Sequence, residues 1–224
     1  MTAMTAKDAG DAAEWVYVVD DDLSVREALS SLIRSIGLPV ETYPSAAAFL
    51  AAPRRASVAC LILDVRMPDV NGMELQMQLA GAGNPIPIVF ITGHGDIPMA
   101  VRAIKRGAVE FLAKPFRDEE LLAAIHSALA RARSVRKQAL ELGEIRRRFE
   151  LLTSREREVI GHIVKGALNK QVAAELGVAE TTIKVHRHNI MHKMAARSLP
   201  DLVRMVERLD VRGPDTQSEP GNDE

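Results

Sequence analysis

The sequence predicts a doubly wound α/β domain with a five-stranded parallel sheet, followed by a small all-α domain of four helices with a helix-turn-helix. Three observations carry this reading. Short apolar runs alternate with segments of helical period up to about residue 130, the pattern of strands joined by crossover helices. Beyond Asp118 only helical periods remain, and two short helical segments meet near Gly177. The charge divides at the same place: residues 1–130 carry 11 Lys/Arg against 16 Asp/Glu, whereas residues 131–212 carry 18 against 10. An acidic half followed by a basic half implies that the second half meets a polyanion, most often nucleic acid.

Taken in order, residues 1–13 are small, polar and expected to be disordered. Residues 15–19 form the first strand, ending in Asp20, Asp21 and Asp22. Ser24 and Glu27 stand at capping-box spacing and open a helix that Gly37 closes. A short strand at residues 40–43 and a small helix over 45–52 come next. The apolar run through Leu61, Ile62 and Leu63 stops on Asp64, as a strand buried on both faces would at its C-terminal edge. Asn71 and Gly72 turn into a third helix, and Ile88 to Ile91 form a strand ending on Thr92. A flexible loop of Gly93, His94, Gly95 and Asp96 leads into a helix to about Arg106, and residues 109–113 run as the fifth strand into Lys114 and Pro115.

From Asp118 the helical pattern is strong to Leu129 and weaker through Phe149. Residues 131–148 read either as a linker helix or as a hinge at Gly143. Thr153 and Glu156 form a second capping box for a helix ending near Gly166, and Asn169 is expected to cap the next, which stops at Gly177. A third helix covers residues 180–194 and a fourth 199–209, before an acidic tail from residue 212 expected to be disordered.

Composition narrows the function classes. Cys60 is the single cysteine and lies inside an apolar strand, which excludes a disulfide framework and a thiolate metal site. No signal peptide and no run of membrane-spanning length is evident, so a cytoplasmic protein without membrane association is expected.

Ligands in open α/β sheets bind at the C-terminal edge of the strands. Here that edge collects Asp20, Asp21, Asp64, Thr92 and Lys114. Three clustered carboxylates call for a cation, and magnesium fits best, since it prefers oxygen ligands and binds through one or two carboxylates plus a phosphate oxygen. Asp64 would then be placed to attack a phosphoryl group, with Lys114 supplying positive charge and Thr92 a hydrogen bond. The blander reading is a set of polar strand caps with Lys114 as an ordinary ion-pair partner, and spacing alone does not choose between the two.

The segments Val19-Asp20-Asp21-Asp22, Leu63-Asp64-Val65-Arg66-Met67-Pro68, Ile91-Thr92-Gly93-His94-Gly95 and Phe111-Leu112-Ala113-Lys114-Pro115-Phe116 together resemble the receiver domain of bacterial two-component response regulators. The segment from Leu151 through His186 resembles the LuxR-type helix-turn-helix, and the combination is that of the NarL/FixJ class, with the loop from Gly93 to Ala100 similar to the FixJ branch. The resemblance implies a receiver at residues 14–130 and a DNA-binding domain at 149–211. It implies Asp64 as phosphoacceptor, and magnesium held by Asp20, Asp21, Asp64 and the backbone carbonyl of Arg66. Thr92 and Lys114 would meet the phosphoryl group, with Phe111 at an aromatic switch position. The implied partners are a sensor histidine kinase, double-stranded promoter DNA, a second copy of the chain on phosphorylation, and RNA polymerase. His94 reads as a loop surface residue, since receivers need no histidine of their own.

The third helix of the basic half can be read without that naming. At about 100° per residue, Ile183, His186, Ile190 and Met194 share an apolar face, and Thr181, Lys184, Val185, His188 and His192 lie opposite. The second face can enter a major groove, Lys184 reaching guanine or phosphate and Val185 a thymine methyl. The resemblance implies a base contact for His188 as well, at a position where family members often carry a basic residue. Lys170, Arg187 and Lys193, with Lys165 and Arg197, are a solvated surface or phosphate contacts. Two other classes compete: a magnesium-dependent phosphohydrolase with a basic localising domain, and a constitutive DNA binder whose receiver is only an interaction platform. No carboxylate stands two residues beyond Asp64 to act as general acid, which argues against the first, and the complete set of Asp20, Asp21, Asp64 and Lys114 argues against the second.

Overall fold

The computed structural model describes residues 14–53, 58–68, 70–81, 86–93 and 97–209. The expectations for residues 1–13 and 212–224, and for His94, Gly95 and Asp96, lie outside the described residues. The chain divides into two compact units, residues 1–137 and 138–224.

In the first unit the order is β1 (Glu14–Val19), α1 (Leu23–Ser35), β2 (Val40–Tyr43), α2 (Ala46–Ala51), β3 (Val58–Asp64), α3 (Gly72–Gly81), β4 (Ile88–Thr92), α4 (Ile97–Lys105), β5 (Glu110–Ala113) and the start of α5 (Asp118–Glu150). The five strands form one parallel sheet in the order β2-β1-β3-β4-β5, the expected doubly wound architecture. All seven residues of β3 are buried, because helices cover both of its faces. One face packs Leu29, Ile33, Leu121, Ile125 and Leu129 from α1 and α5 against Val16, Val18 and Ile62. The other packs Phe49, Leu75, Leu79 and Ala103 from α2, α3 and α4 against Val19, Leu61, Leu63 and Phe90. Parallel register brings the strands' C-terminal ends to one edge, pairing Val19 with Leu63, Asp64 with Ile91, and Thr92 with Ala113.

The second unit contains the end of α5, then α6 (Ser154–Val164), α7 (Asn169–Leu176), α8 (Glu180–Met194) and α9 (Leu199–Arg208). Its core joins Ile145 of α5 to Val159, Ile163, Val172, Ile183, Ile190, Met194, Leu202 and Val206. Gly143 lies within helix α5. A lone glycine costs only about 1 kcal/mol against alanine in a helix interior. No described helix is long and apolar enough to cross a membrane.

Two capping expectations are corrected. Helix α1 is capped by Asp22, whose Oδ1 accepts the N–H groups of Ser24 and Val25 at 2.8 and 3.4 Å, so Ser24 lies inside the first turn. An aspartate cap two residues upstream starts the helix earlier than the serine would. Helix α7 begins at Asn169 itself, with Leu168 in the cap position. There Gln171 Oε1 accepts the Leu168 N–H at 2.7 Å, and no cap side chain contributes. The Thr153 and Glu156 capping box of α6 is present as expected.

Candidate functional site

The C-terminal edge of the sheet brings the expected acidic residues together. Asp20, directly after β1, is 1% exposed, and Asp64, the last residue of β3, is 7% exposed. Asp21 is exposed beside them, and ligand oxygens of Asp20, Asp21 and Asp64 all lie within 4.8 Å of one another. Lys114, one residue past β5, places Nζ 2.7 Å from Asp20 Oδ2 and 3.9 Å from Asp64 Oδ1. Thr92 is fully buried at the end of β4, and its carbonyl accepts the Lys114 N–H at 2.7 Å. Arg66 lies two residues past Asp64 with its side chain exposed. Phe111 is half-buried on β5, its ring centroid 6.3 Å from that of Phe90.

Asp64 Oδ1 is buried with no hydrogen-bond partner. Burial is the main force on the group, opposed by the attraction of Lys114 and reinforced by repulsion from Asp20 and Asp21, and it pushes the Asp64 carboxyl up to about 6. A buried, unsatisfied oxygen beside two further carboxylates fits a divalent oxygen-seeking cation, and the all-oxygen donor set favours magnesium over softer metals. Cys60 offers no rival chemistry, because burial, and secondarily Glu14, pushes its thiol up to about 12.

Two contributors to this pocket are not evident from the sequence. Arg26 of α1 donates from Nη1 to the Asp20 carbonyl at 2.7 Å, tying the loop that carries Asp20 and Asp21 to the helix behind it. Gly72, at the start of α3, packs so closely under β3 that a Cβ there would lie 2.4 Å from the Asp64 carbonyl oxygen and 3.1 Å from Val65 Cα. Its N–H donates to the Val65 carbonyl at 3.0 Å. The Asn71-Gly72 pair signals a turn, but this close approach depends on tertiary packing. Gly72→Ala is expected to displace the backbone beneath Asp64, lowering stability by about 1–3 kcal/mol in thermal unfolding and weakening magnesium binding in the same preparation. A variant matching the parent in both would contradict the assigned approach.

In the second unit α8 divides as its periodicity predicts. Ile183, Ile190 and Met194 are buried and His186 is half-buried, while Thr181, Lys184, Val185, His188 and His192 are exposed. Val185 is 58% exposed, an apolar side chain offered to solvent on an otherwise polar face. Lys184 Nζ meets Glu180 Oε1 at 3.2 Å in an exposed pair, an arrangement worth little in water. Lys170 and Arg187 line a common cavity of about 510 Å3 with Leu168, Asn169 and Glu180. Lys193, expected among the DNA contacts, places its Nζ 2.7 Å from Oε2 of Glu156, which is 2% exposed. Burial raises the Glu156 carboxyl, but hydrogen bonds from Lys193 and Thr153 outweigh it and hold the group below the usual carboxylate range. Lys193 therefore ties α8 to α6, using one of the three donors of its ammonium. That pairing spans 37 residues, which no local spacing reveals.

Comparison with known proteins matches both units. Residues 16–126 match the family model described as the response regulator receiver domain, and residues 150–206 that of the bacterial regulatory proteins of the luxR family. The chain is 55% identical over 199 residues to the response regulator protein TodT of Pseudomonas putida, covering 89% of this chain and 88% of that one. It is 48% identical over 202 residues to nodulation protein W of Bradyrhizobium diazoefficiens, covering 90% and 89%. Among solved structures, the response regulator StyR superposes with a TM-score of 0.76 at 51% identity, over 88% of this chain and all of that one. Full-length FixJ from B. japonicum gives a TM-score of 0.51 at 39% identity, over 91% and 100%.

Proposed function

The chain belongs to the two-component response regulators that join a receiver domain to a luxR-family DNA-binding domain, and from that premise we propose that phosphorylation of Asp64 controls its binding to promoter DNA. It is a transcriptional regulator, as its relatives are, and the phosphohydrolase alternative finds no counterpart among them. A regulator of this family implies a histidine kinase as phosphate source and DNA as target.

One observation carries the assignment of Asp64: a carboxylate oxygen buried without a hydrogen-bond partner at the meeting of three strand ends, 3.9 Å from the Lys114 ammonium. In the transfer we propose, that oxygen attacks the phosphorus of a kinase phosphohistidine. A P–O bond forms, the P–N bond breaks, and its electron pair returns to the imidazole. Lys114 lies where it can move from Asp20 toward the equatorial phosphoryl oxygens, and Thr92 where its hydroxyl can meet one of them. We assign the metal to Asp20, Asp21, Asp64 and the Arg66 carbonyl, where a bound magnesium ion would neutralise charge on the transferred group. Hydrolysis of the acyl phosphate would restore the carboxylate.

For DNA we assign Thr181, Lys184, Val185 and His188 to the groove and Lys170 and Arg187 to the phosphate backbone. We place the receiver at residues 14–130, the linker at 131–148 and the DNA-binding domain at 149–211. A symmetric homodimer on phosphorylation, through the exposed Val101 and Ile104 of α4, completes the proposal, with RNA polymerase as the downstream partner.

The test of the site is direct. Incubation with magnesium and acetyl phosphate should add one phosphoryl group to Asp64, located by mass spectrometry, and Asp64→Asn should carry none. Undiminished phosphate on that variant, or phosphate on His94, sinks the assignment.

A further inference from the structure

Helix α8 ends on an alanine in a conformation that favours glycine. Ala195, directly after the helix, has φ +52°, and among the described residues it is the only one other than glycine with a positive φ. The cap is otherwise ordinary: the Ala195 N–H donates to the His192 carbonyl at 3.1 Å and the Ala196 N–H to the Met191 carbonyl at 3.0 Å. Neither bond reaches the carbonyl of Met194, the last residue of the helix. A residue with a Cβ holds the left-handed conformation only where its surroundings over-determine it, so a part outside α8 must fix this end.

That part is the end of α5. Arg148 donates from Nη1 to the Met194 carbonyl at 3.2 Å, across 46 residues of sequence. Its Nε donates to Glu144 Oε1 at 2.8 Å, one turn back on α5. Hydrogen bonds from Arg147, then from Arg148, hold the Glu144 carboxyl down at about 2, so it stays ionised at neutral pH and aims the Arg148 guanidinium at α8. Ile145 is 6% exposed within the core of this unit and Phe149 packs against that core, so the turn of α5 that carries Arg148 is itself fixed. Apolar packing through Ile183, Ile190 and Met194 holds α8 to the domain but has no direction, whereas a planar guanidinium fork fixes where the helix end sits.

We propose that Arg148 is a positioning residue for DNA recognition, holding the alanine-capped end of α8 so that the face bearing Thr181, Lys184, Val185 and His188 meets base edges in register. The proposal rests on the DNA-binding reading above. Thr181 lies about 20 Å from Met194 along the axis at about 1.5 Å per residue, so a tilt of about 3° at the cap moves it by about 1 Å. That is about twice the displacement a binding constellation tolerates. Arg148 acts through α8 and not on the bases, and the last turns of α5 belong to the reading machinery.

The experiment uses the full chain with magnesium and acetyl phosphate, as the parent, Arg148→Ala, Arg148→Lys, Ala195→Gly, and Ala195→Gly combined with each Arg148 variant. The probes are a duplex that the parent selects from a random-sequence pool and the same duplex scrambled, at a temperature where circular dichroism shows each chain folded. Arg148→Ala should lower the ratio of the two affinities about tenfold, the size of one mismatched base pair, with affinity for the scrambled duplex close to parental. Arg148→Lys, which keeps the charge but lacks the fork, should lose about threefold. Ala195→Gly should leave the parent's ratio unchanged and bring Arg148→Ala back to within about threefold of it, because glycine takes the left-handed conformation without help. Amide exchange at Ala195 and Ala196 should be about tenfold faster in Arg148→Ala than in the parent. A parental ratio in both Arg148 variants overturns the proposal. An equal loss on both duplexes also does, since it would make Arg148 a phosphate contact, and so does a loss that Ala195→Gly leaves unrestored. If Arg148→Ala does not fold, Arg148→Lys with and without Ala195→Gly decides the question. If the parent selects no sequence, the DNA-binding reading has failed and the recognition role with it, while faster exchange at Ala195 and Ala196 still upholds the cap contact.

Discussion

Replacing Asp64 by asparagine is expected to stabilise the metal-free receiver by up to about 3 kcal/mol at neutral pH, following from a carboxyl raised from 3.8 to about 6. The folded state binds the Asp64 proton more tightly than the unfolded chain does. The stability cost is therefore absent below about pH 4, grows as pH rises through the interval to 6, and is complete above it. That figure of about 6 is already net of the Lys114 attraction at 3.9 Å, which opposes the effect of burial. Trp15, the single tryptophan, lies in β1, so urea unfolding followed by its fluorescence reports this unit. In chelator, parent and variant should converge as pH falls toward 4 and separate above 6. Magnesium should stabilise the parent alone, by an amount set by its occupancy. Equal stability of the two at pH 7.5 would mean that Asp64 is not a strained carboxylate.

The second large effect concerns the Glu156 and Lys193 pair. Lys193→Ala leaves a buried carboxylate without its cation and is expected to cost roughly 3 kcal/mol, the low end for such a loss because Lys193 is itself a third exposed. Lys184→Ala, which breaks an exposed pair, should cost less than about 1 kcal/mol of stability. In DNA binding the order reverses. Lys184→Ala should weaken specific binding by about 1–3 kcal/mol if it reads a base, and should lower affinity for every sequence alike if it meets only phosphate. The salt dependence separates these cases. Lys193→Ala should affect DNA only through the fraction folded, so its affinity at low temperature should match the parent's. A Lys193→Ala chain of parental stability but weakened binding would place Lys193 at the interface.

Those two lysines show where sequence reading stops. Both lie on α8 among basic and polar residues, and composition gives them the same role. Only the packing of α8 on α6 brings one of them to Glu156, a long-range event without a local signal. The fold itself was legible because each strand is an apolar run ending on a polar group, and parallel register aligns those ends whatever the helices do. The carboxylate pocket followed from that alignment. Its support did not: Arg26 reads as a surface helix residue until the Asp20 carbonyl is placed beside it, and Gly72 reads as a turn until β3 passes beneath it. The α1 cap was misplaced for a related reason, since Asp22 reads as part of the acidic strand end rather than as the start of the helix. Gly143 was ambiguous because helix propensity is a weak prior once neighbouring turns are packed.

The central claim is that one oxygen of Asp64 governs DNA binding by a domain elsewhere in the chain. The most direct measurement is the affinity of the parent and of Asp64→Asn for DNA carrying two half-sites about one helical turn apart, with and without acetyl phosphate. Sedimentation should be recorded on the same samples. Phosphorylated parent should sediment as a dimer and bind paired sites at least about tenfold more tightly, with little change on a single half-site. Asp64→Asn should remain monomeric and unresponsive. A parent fully phosphorylated on Asp64 whose mass and affinity do not change, or an Asp64→Asn chain that responds equally, would contradict the account.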